Sequence, residues 1–102
     1  MNTNTINQMD LAIKPREKLE EKGVKALSDK ELVMILIGKG SNGHTIEEVA
    51  EKVLKVLDKG SEPLLTDLKY IPGMGQAKAT AVLAALELGR RRPNRKTKVI
   101  RR

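Results

Sequence analysis

The chain has 102 residues, of which 39% are apolar, so it can build one small hydrophobic core. It has no cysteine, which excludes disulfide bonds and thiolate metal sites, and its single aromatic residue, Tyr70, leaves little material for base stacking. The net charge is +7, but eight of the 20 basic residues follow Gly89, and the other 12 stand against 13 acidic residues. The basicity therefore belongs to the C-terminal end, and residues 1–89 carry a net charge of −1.

The N-terminal region is polar and lacks the features of a signal peptide. No apolar run approaches the roughly 18 residues that span a bilayer, so we expect a cytoplasmic protein without a membrane segment. Residues 1–13 show no sustained period and are predicted to be a flexible N-terminus. Pro15 is typical of a first helical position and Gly23 of a helix end, which predicts a helix over 15–22.

Two capping boxes predict where the next helices begin, because each pairs a side-chain oxygen with a glutamate three residues later. Ser28 with Glu31 starts a helix over 29–37, and Thr45 starts a second helix that runs to about Asp58. The residues expected to face inward on these two helices are Leu32, Val33, Leu36, Ile46, Val49, Ala50, Val53, Leu54 and Leu57.

Two further helices complete the predicted fold, a short one over 64–68 and a long one over 76–89. The residues expected to face inward on the long helix are Ala79, Val82, Leu83, Ala85 and Leu86. No segment alternates with the period of a strand, so the sequence predicts an all-α bundle of about five helices. The folded domain is placed at 14–92, and residues 93–102 are interpreted as a basic linker tail.

The connection between the last two helices carries the main functional signal. Pro72 ends the first helix, while Gly73 and Gly75 permit positive φ and close approach of a ligand to the backbone. The next helix then presents unpaired N–H groups, which suit a DNA phosphate. The spacing that matches a helix-hairpin-helix pattern is Leu68, Ile71, Gly73, Gly75, Ala79 and Val82. The predicted DNA-phosphate ligands are Gly73, Met74, Gly75, Gln76 and Lys78.

A weaker copy of this connection occurs about 35 residues earlier, at Ile37 to Gly40. It is interpreted as a degenerate helix-hairpin-helix packed against the intact one. Hairpins of this type sometimes hold a monovalent cation on their carbonyls, and no other cofactor is expected. The glycines are also compatible with a plain tight turn, and such helix pairs also serve as packing or dimerisation units.

Other polar residues favour structural roles. Arg90, Arg91 and Arg92 end a helix, where cations interact favourably with the dipole, and they are candidate accessory basic residues for DNA. His44 is the only histidine and is interpreted as a loop residue, and with no cysteine the chain cannot supply the usual catalytic zinc ligands. The glutamates of the third predicted helix are explained by capping and solvation. We therefore predict a domain that is not an enzyme and holds no metal.

Several blocks of the sequence stand in the order and spacing of a known family: Pro15 to Leu19 with Gly23, Leu27 to Asp29 with Glu31 and Leu32, Gly38 with Gly40, Ile71 to Gly75, and Ala85 to Arg91. Through these blocks nearly the whole chain resembles the N-terminal domain of the RadC-like proteins. The resemblance implies a role in DNA repair, a fold of the SAM-like or RuvA domain 2 type, and a following JAMM-type metalloprotease-like domain. The His-x-His and Asp zinc motif of that domain is absent here, so the chain is interpreted as a truncated part of a longer protein.

Two functions follow as expectations. The first is sequence-independent binding of duplex or branched DNA through phosphates, at the weak affinity of roughly 10⁻⁴ to 10⁻⁶ M that is typical of non-specific contacts. The second is a protein interaction or dimerisation domain that positions or regulates the metalloprotease-like domain. The nearly neutral charge of residues 1–89 favours the second.

Overall fold

A computed structural model describes the backbone of residues 8–93 and the side chains of residues 14–93. The helices are α1 Gln8–Lys22, α2 Asp29–Ile37, α3 Ile46–Leu57, α4 Leu65–Lys69 and α5 Gly75–Arg90. No strand occurs in the described range, which confirms the all-α prediction. None of the described helices is long and apolar enough to cross a bilayer. Residues 1–7 of the predicted flexible N-terminus and residues 94–102 of the predicted tail lie outside the described residues.

Both predicted capping boxes are present and set the first residues of α2 and α3. The Glu31 N–H donates to Ser28 Oγ at 3.1 Å, and the Ser28 N–H donates to Glu31 Oε1 at 2.9 Å. Thr45 and Glu48 make the same two bonds, each at 3.1 Å. The predicted helix over 29–37 is confirmed at both ends, because the chain leaves it through Gly38 at a φ of 89°.

The predicted start of the first helix is wrong. α1 begins at Gln8, so Pro15 lies inside the helix rather than at its first position. A proline inside a helix removes one backbone hydrogen bond and disfavours the turn before it. Pro15 is buried, and the helix continues through it to Lys22. A short 3-10 helix at Val24–Ala26, which the sequence did not indicate, then connects α1 to α2.

The core lies between α2, α3 and α5 and is closed by one residue of α4. Its buried members are Val33, Met34, Ile37, Ile46, Val49, Ala50, Val53, Leu68, Met74, Ala79 and Val82. The predicted inward stripe of α3 is confirmed, with Leu54 and Leu57 packed at its edge. Leu36 and Leu86 were also predicted to face inward, but they are 43% and 39% exposed. They lie at the edges of the apolar faces of α2 and α5, where the two helices border an open groove.

Candidate functional site

The turn between α4 and α5 is fixed to the core by two apolar side chains. The Ile71 N–H donates to the Leu68 carbonyl at 3.1 Å, and the Met74 N–H donates to the Ile71 carbonyl at 2.9 Å. Met74 is buried, and Ile71 packs against the core from its edge. As predicted, these two side chains turn under the loop, so the backbone that follows Met74 has a defined position.

Gly73 faces the interior of the domain. It is buried and has a φ of 88°. A Cβ built on it would lie 2.8 Å from Val49 Cγ2, 3.1 Å from His44 Cβ and 3.2 Å from the Ser41 carbonyl oxygen. Real Cβ atoms essentially never approach another atom to 2.8 Å, so packing against α3 and the loop before it favours glycine here. Gly73 thus packs inside the domain against Ser41, His44 and Val49. A contact between its amide and a DNA phosphate stays a prediction.

Gly75 has the opposite environment. It is exposed and has a φ of 78°, and apart from its chain neighbours and the backbone of its own helix no atom lies within 4 Å of a Cβ built on it. It is the first residue of α5, and Gln76 beside it is also exposed. The first N–H groups of a helix have no intrahelical acceptor. At Gly75 and Gln76 these groups therefore lie at an open surface.

The N-terminus of α5 differs from those of α2 and α3. Its N-cap residue, Met74, makes no side-chain capping hydrogen bond, and its first turn contains no acidic residue. α2 and α3 carry a capping box and acidic residues at the same positions. The positive end of the α5 dipole is therefore not compensated by its own side chains, and the arrangement suits an external anion.

Lys78 connects two loops. Its Nζ donates to the Lys39 carbonyl at 2.6 Å and to the Gly73 carbonyl at 3.4 Å. Ser41 Oγ also donates to the Gly73 carbonyl, at 3.0 Å. Burial and the nearby charge of Lys39 lower the pKa of Lys78 below its ordinary value. The ammonium thus contacts the Gly73 carbonyl directly, and a monovalent cation on the carbonyls of this turn stays a prediction.

The predicted accessory arginines are not near this turn. Arg90 Nη2 lies 2.7 Å from Glu87 Oε2, and Arg91 Nε lies 2.7 Å from the same oxygen. The two guanidinium groups lower the pKa of Glu87 to about 2. A helix rises about 1.5 Å per residue, which puts Arg90 roughly 22 Å from Gly75 along α5. Arg92 is exposed beyond the end of α5, so the three arginines form a separate, partly neutralised group.

Sequence reasoning missed Lys39 and Ser41 as neighbours of the turn. Both belong to the earlier loop. The weak repeat at Ile37 to Gly40 indicated that this loop packs against the turn, but not which of its residues make the contacts. His44 lies before the α3 N-cap, as expected for a loop residue, with Nδ1 3.8 Å from Glu48 Oε1. Among residues 14–93, no three histidine, aspartate or glutamate side chains converge as a metal site.

The amino-acid sequence of this chain matches a known protein family and several of its members. A protein-family model described as "UPF0758 N-terminal" matches residues 6–80. A UPF0758 protein of Flavobacterium johnsoniae is 46% identical over 81 residues, which cover 76% of this chain and 35% of that protein. A UPF0758 protein of Methanospirillum hungatei is 36% identical over 91 residues, which cover 89% of this chain and 40% of the relative.

A third UPF0758 protein, from Rubrobacter xylanophilus, is 42% identical over 90 residues, which cover 85% of this chain and 40% of that protein. The chain thus spans at most about two fifths of the length of these curated relatives. No solved structure matches it. The family match covers most of the chain and confirms the resemblance at this level, whereas the helix-hairpin-helix identity stays a prediction. The chain therefore belongs to the UPF0758 N-terminal family.

Proposed function

We propose that this domain binds the phosphate backbone of duplex or branched DNA, without reading its sequence, through a helix-hairpin-helix formed by α4 and α5. The observation that carries the proposal is the open N-terminus of α5. Gly75 and Gln76 are exposed there, and neither a capping side chain nor an acid occupies the first turn. Helix N-termini attract phosphates through their unpaired N–H groups and their dipole.

Lys78 supports this assignment through its charge. A lysine ammonium has three N–H donors, and two of those of Lys78 are directed at loop carbonyls. The third remains for a phosphate oxygen at the edge of the turn. Because the surface is small and residues 1–89 carry a net charge of −1, we expect affinities of roughly 10⁻⁴ to 10⁻⁶ M.

The test is fluorescence anisotropy with a labelled duplex, at about 50 and 200 mM salt. Gln76→Glu places a carboxylate in the first turn of α5, where it repels phosphate while stabilising the helix dipole. A loss of binding therefore cannot be attributed to unfolding. Ala84→Glu is the matched control, because Ala84 is exposed on the same helix, about 12 Å further along it.

We expect Gln76→Glu to weaken binding at least several-fold more than Ala84→Glu does. Equal effects of the two variants would remove α5 from the interface. If binding survives Gln76→Glu but disappears when residues 93–102 are deleted, the basic tail carries the activity instead. The proposal assigns no reaction to this domain, and it places the protein in the cytoplasm with a role in DNA repair.

A second candidate function is favoured by the exposed leucines. Leu36, Leu64 and Leu86 are 43%, 66% and 39% exposed. Leu36 and Leu86 line an apolar groove of about 310 Å³ between α2, α3 and α5. Exposed apolar surface of this kind is typical of interaction sites. On this proposal the domain dimerises, or positions the remainder of a longer protein, for which the RadC-like resemblance implies a metalloprotease-like domain.

Sedimentation with and without duplex DNA separates the two candidates. A concentration-dependent dimer that is indifferent to DNA supports the interaction domain. A monomer that sediments faster only in the presence of DNA supports the first proposal.

A further inference from the structure

The loop that follows α2 and the turn that precedes α5 form one surface. Two donors bridge them: the Lys78 ammonium contacts the carbonyls of Lys39 and Gly73, and the Ser41 hydroxyl contacts the carbonyl of Gly73. Gly73 itself packs against Ser41, His44 and Val49 with no room for a methyl group. The two loops therefore cannot move independently without breaking these contacts.

This joint surface carries positive charge that the described carboxylates do not neutralise. Lys39 is exposed, and its charge is near enough to lower the pKa of Lys78, after the larger effect of burial. The guanidinium of Arg16 lies beside the same loop, 3.8 Å from a Cβ built on Gly38. None of the ion pairs among residues 14–93 includes Lys39, Lys78 or Arg16.

Two other lysines among residues 14–93 have carboxylate partners. Lys18 lies 3.2 Å from Glu31, and Lys30 lies 2.9 Å from Glu51. Cations that repel one another at an exposed surface gain most from an anion supplied by a ligand. The open end of α5 is joined to this group through Lys78, so one polyanion can contact both.

We propose that Lys39 is a second, direct phosphate contact, and that Lys78, in addition to its charge at the turn, holds the loop of Lys39 beside the α5 N-terminus. The inference rests on the proposed DNA binding and extends the interface from one loop to two. A duplex then contacts one phosphate at Gly75 and Gln76, and another at Lys39. The binding constant K falls as the salt concentration rises, and each neutralised phosphate makes the plot of log K against log salt concentration steeper by about 0.9.

Lys39→Ala tests the inference, with Lys25→Ala as its matched control. Lys25 is also exposed, and it lies in the 3-10 helix before α2, roughly 12 Å from Lys39 by the length of α2 alone. Both variants remove one positive charge. We expect Lys39→Ala to make the plot of log K against log salt concentration less steep by about 0.9. A fourfold rise in salt should then reduce the DNA affinity of the variant about 3.5-fold less than that of the wild-type chain. Lys25→Ala should keep the wild-type slope.

The outcomes separate this inference from the proposed function. If Lys39→Ala behaves as Lys25→Ala does while Gln76→Glu weakens binding, DNA binding stands and the Lys39 contact is refuted. If neither Lys39→Ala nor Gln76→Glu differs from its control, or if the wild-type chain does not bind duplex, both proposals fail.

A titration of Lys78 by heteronuclear NMR gives an independent readout. In the free protein, Lys39→Ala should raise the pKa of Lys78, because it removes a like charge. Addition of duplex should raise that pKa in the wild-type chain for the same electrostatic reason. A purely structural clamp would leave the Lys78 pKa unchanged when DNA is added, and that result would overturn the assignment.

Discussion

Gly73→Ala is the substitution for which the structure gives the clearest expectation. The new methyl group would lie 2.8 Å from Val49 Cγ2, and it would also crowd His44 and the Ser41 carbonyl. The residue would moreover keep a φ of 88°, a conformation that L-residues rarely adopt. Either the α4–α5 turn or the loop before α3 must move to relieve the contact.

The expected loss of stability has two parts. A left-handed conformation costs an L-residue about 1–2 kcal/mol. Inserting a methyl group into a packed site costs about a further 1–3 kcal/mol. The sum is about 2–5 kcal/mol, a large share of the about 5–15 kcal/mol that stabilises a typical domain.

Gly75→Ala is the control that isolates the steric part. Gly75 has nearly the same backbone conformation, with a φ of 78°, but its new methyl group would meet no atom within 4 Å beyond its chain neighbours and the backbone of its own helix. We expect a loss of only about 1–2 kcal/mol from the conformation. Any stabilisation through the unfolded chain applies to both variants and cancels.

Urea unfolding followed by far-ultraviolet circular dichroism measures the difference. Gly73→Ala should be less stable than Gly75→Ala by about 1–3 kcal/mol. In thermal unfolding, each 1 kcal/mol corresponds to roughly 4–8 °C for a domain of this size. Equal losses in the two variants would refute the conclusion that α3 and its preceding loop confine Gly73.

Two further predictions concern caps and charge. Ser28→Ala should lower the free energy of unfolding in urea by about 1 kcal/mol, because it removes the side-chain cap on the Glu31 amide. Ser61→Ala, at an exposed serine without such a cap, should leave that free energy unchanged. Glu87 has its pKa lowered from 4.5 to about 2, so its stabilising contribution is complete above about pH 4.5 and is lost as the pH falls towards 2. Glu87→Gln should flatten the dependence of Tm on pH within that window, and an unchanged slope would show that the contact with Arg90 does not stabilise the fold.

The parts of the fold that could be predicted depend on interactions between residues that are close together in the sequence. The starts of α2 and α3 follow from side chains three residues apart, and the structure has both where the sequence placed them. Pro15 misled the assignment of α1, because a proline inside a helix looks the same in the sequence as a proline at the first helical position.

Contacts between distant segments explain the remaining differences. The spacing of Leu36 and Leu86 identifies an apolar stripe but not how far the neighbouring helix covers it, so both were assigned to the core. The bond from Lys78 to the Lys39 carbonyl joins residues 39 positions apart, and no pattern within either loop specifies it. The positive φ of Gly73 and Gly75 was predictable from the sequence, whereas the hydrogen bonds that join the two loops were not.

Substitutions at the two glycines of the turn therefore test different properties of the domain. Gly73 is confined by α3, so a Gly73 variant that fails to bind DNA would report on the packing of the two loops and not on a phosphate contact. Gly75 and Gln76 face open space, and substitutions there leave the core intact. Because Lys78 and Ser41 hold the loops together, variants of these residues combine both effects. Only Gln76→Glu and Lys39→Ala alter the surface charge without touching the contacts that form the surface, so they decide whether the open end of α5 is an interface.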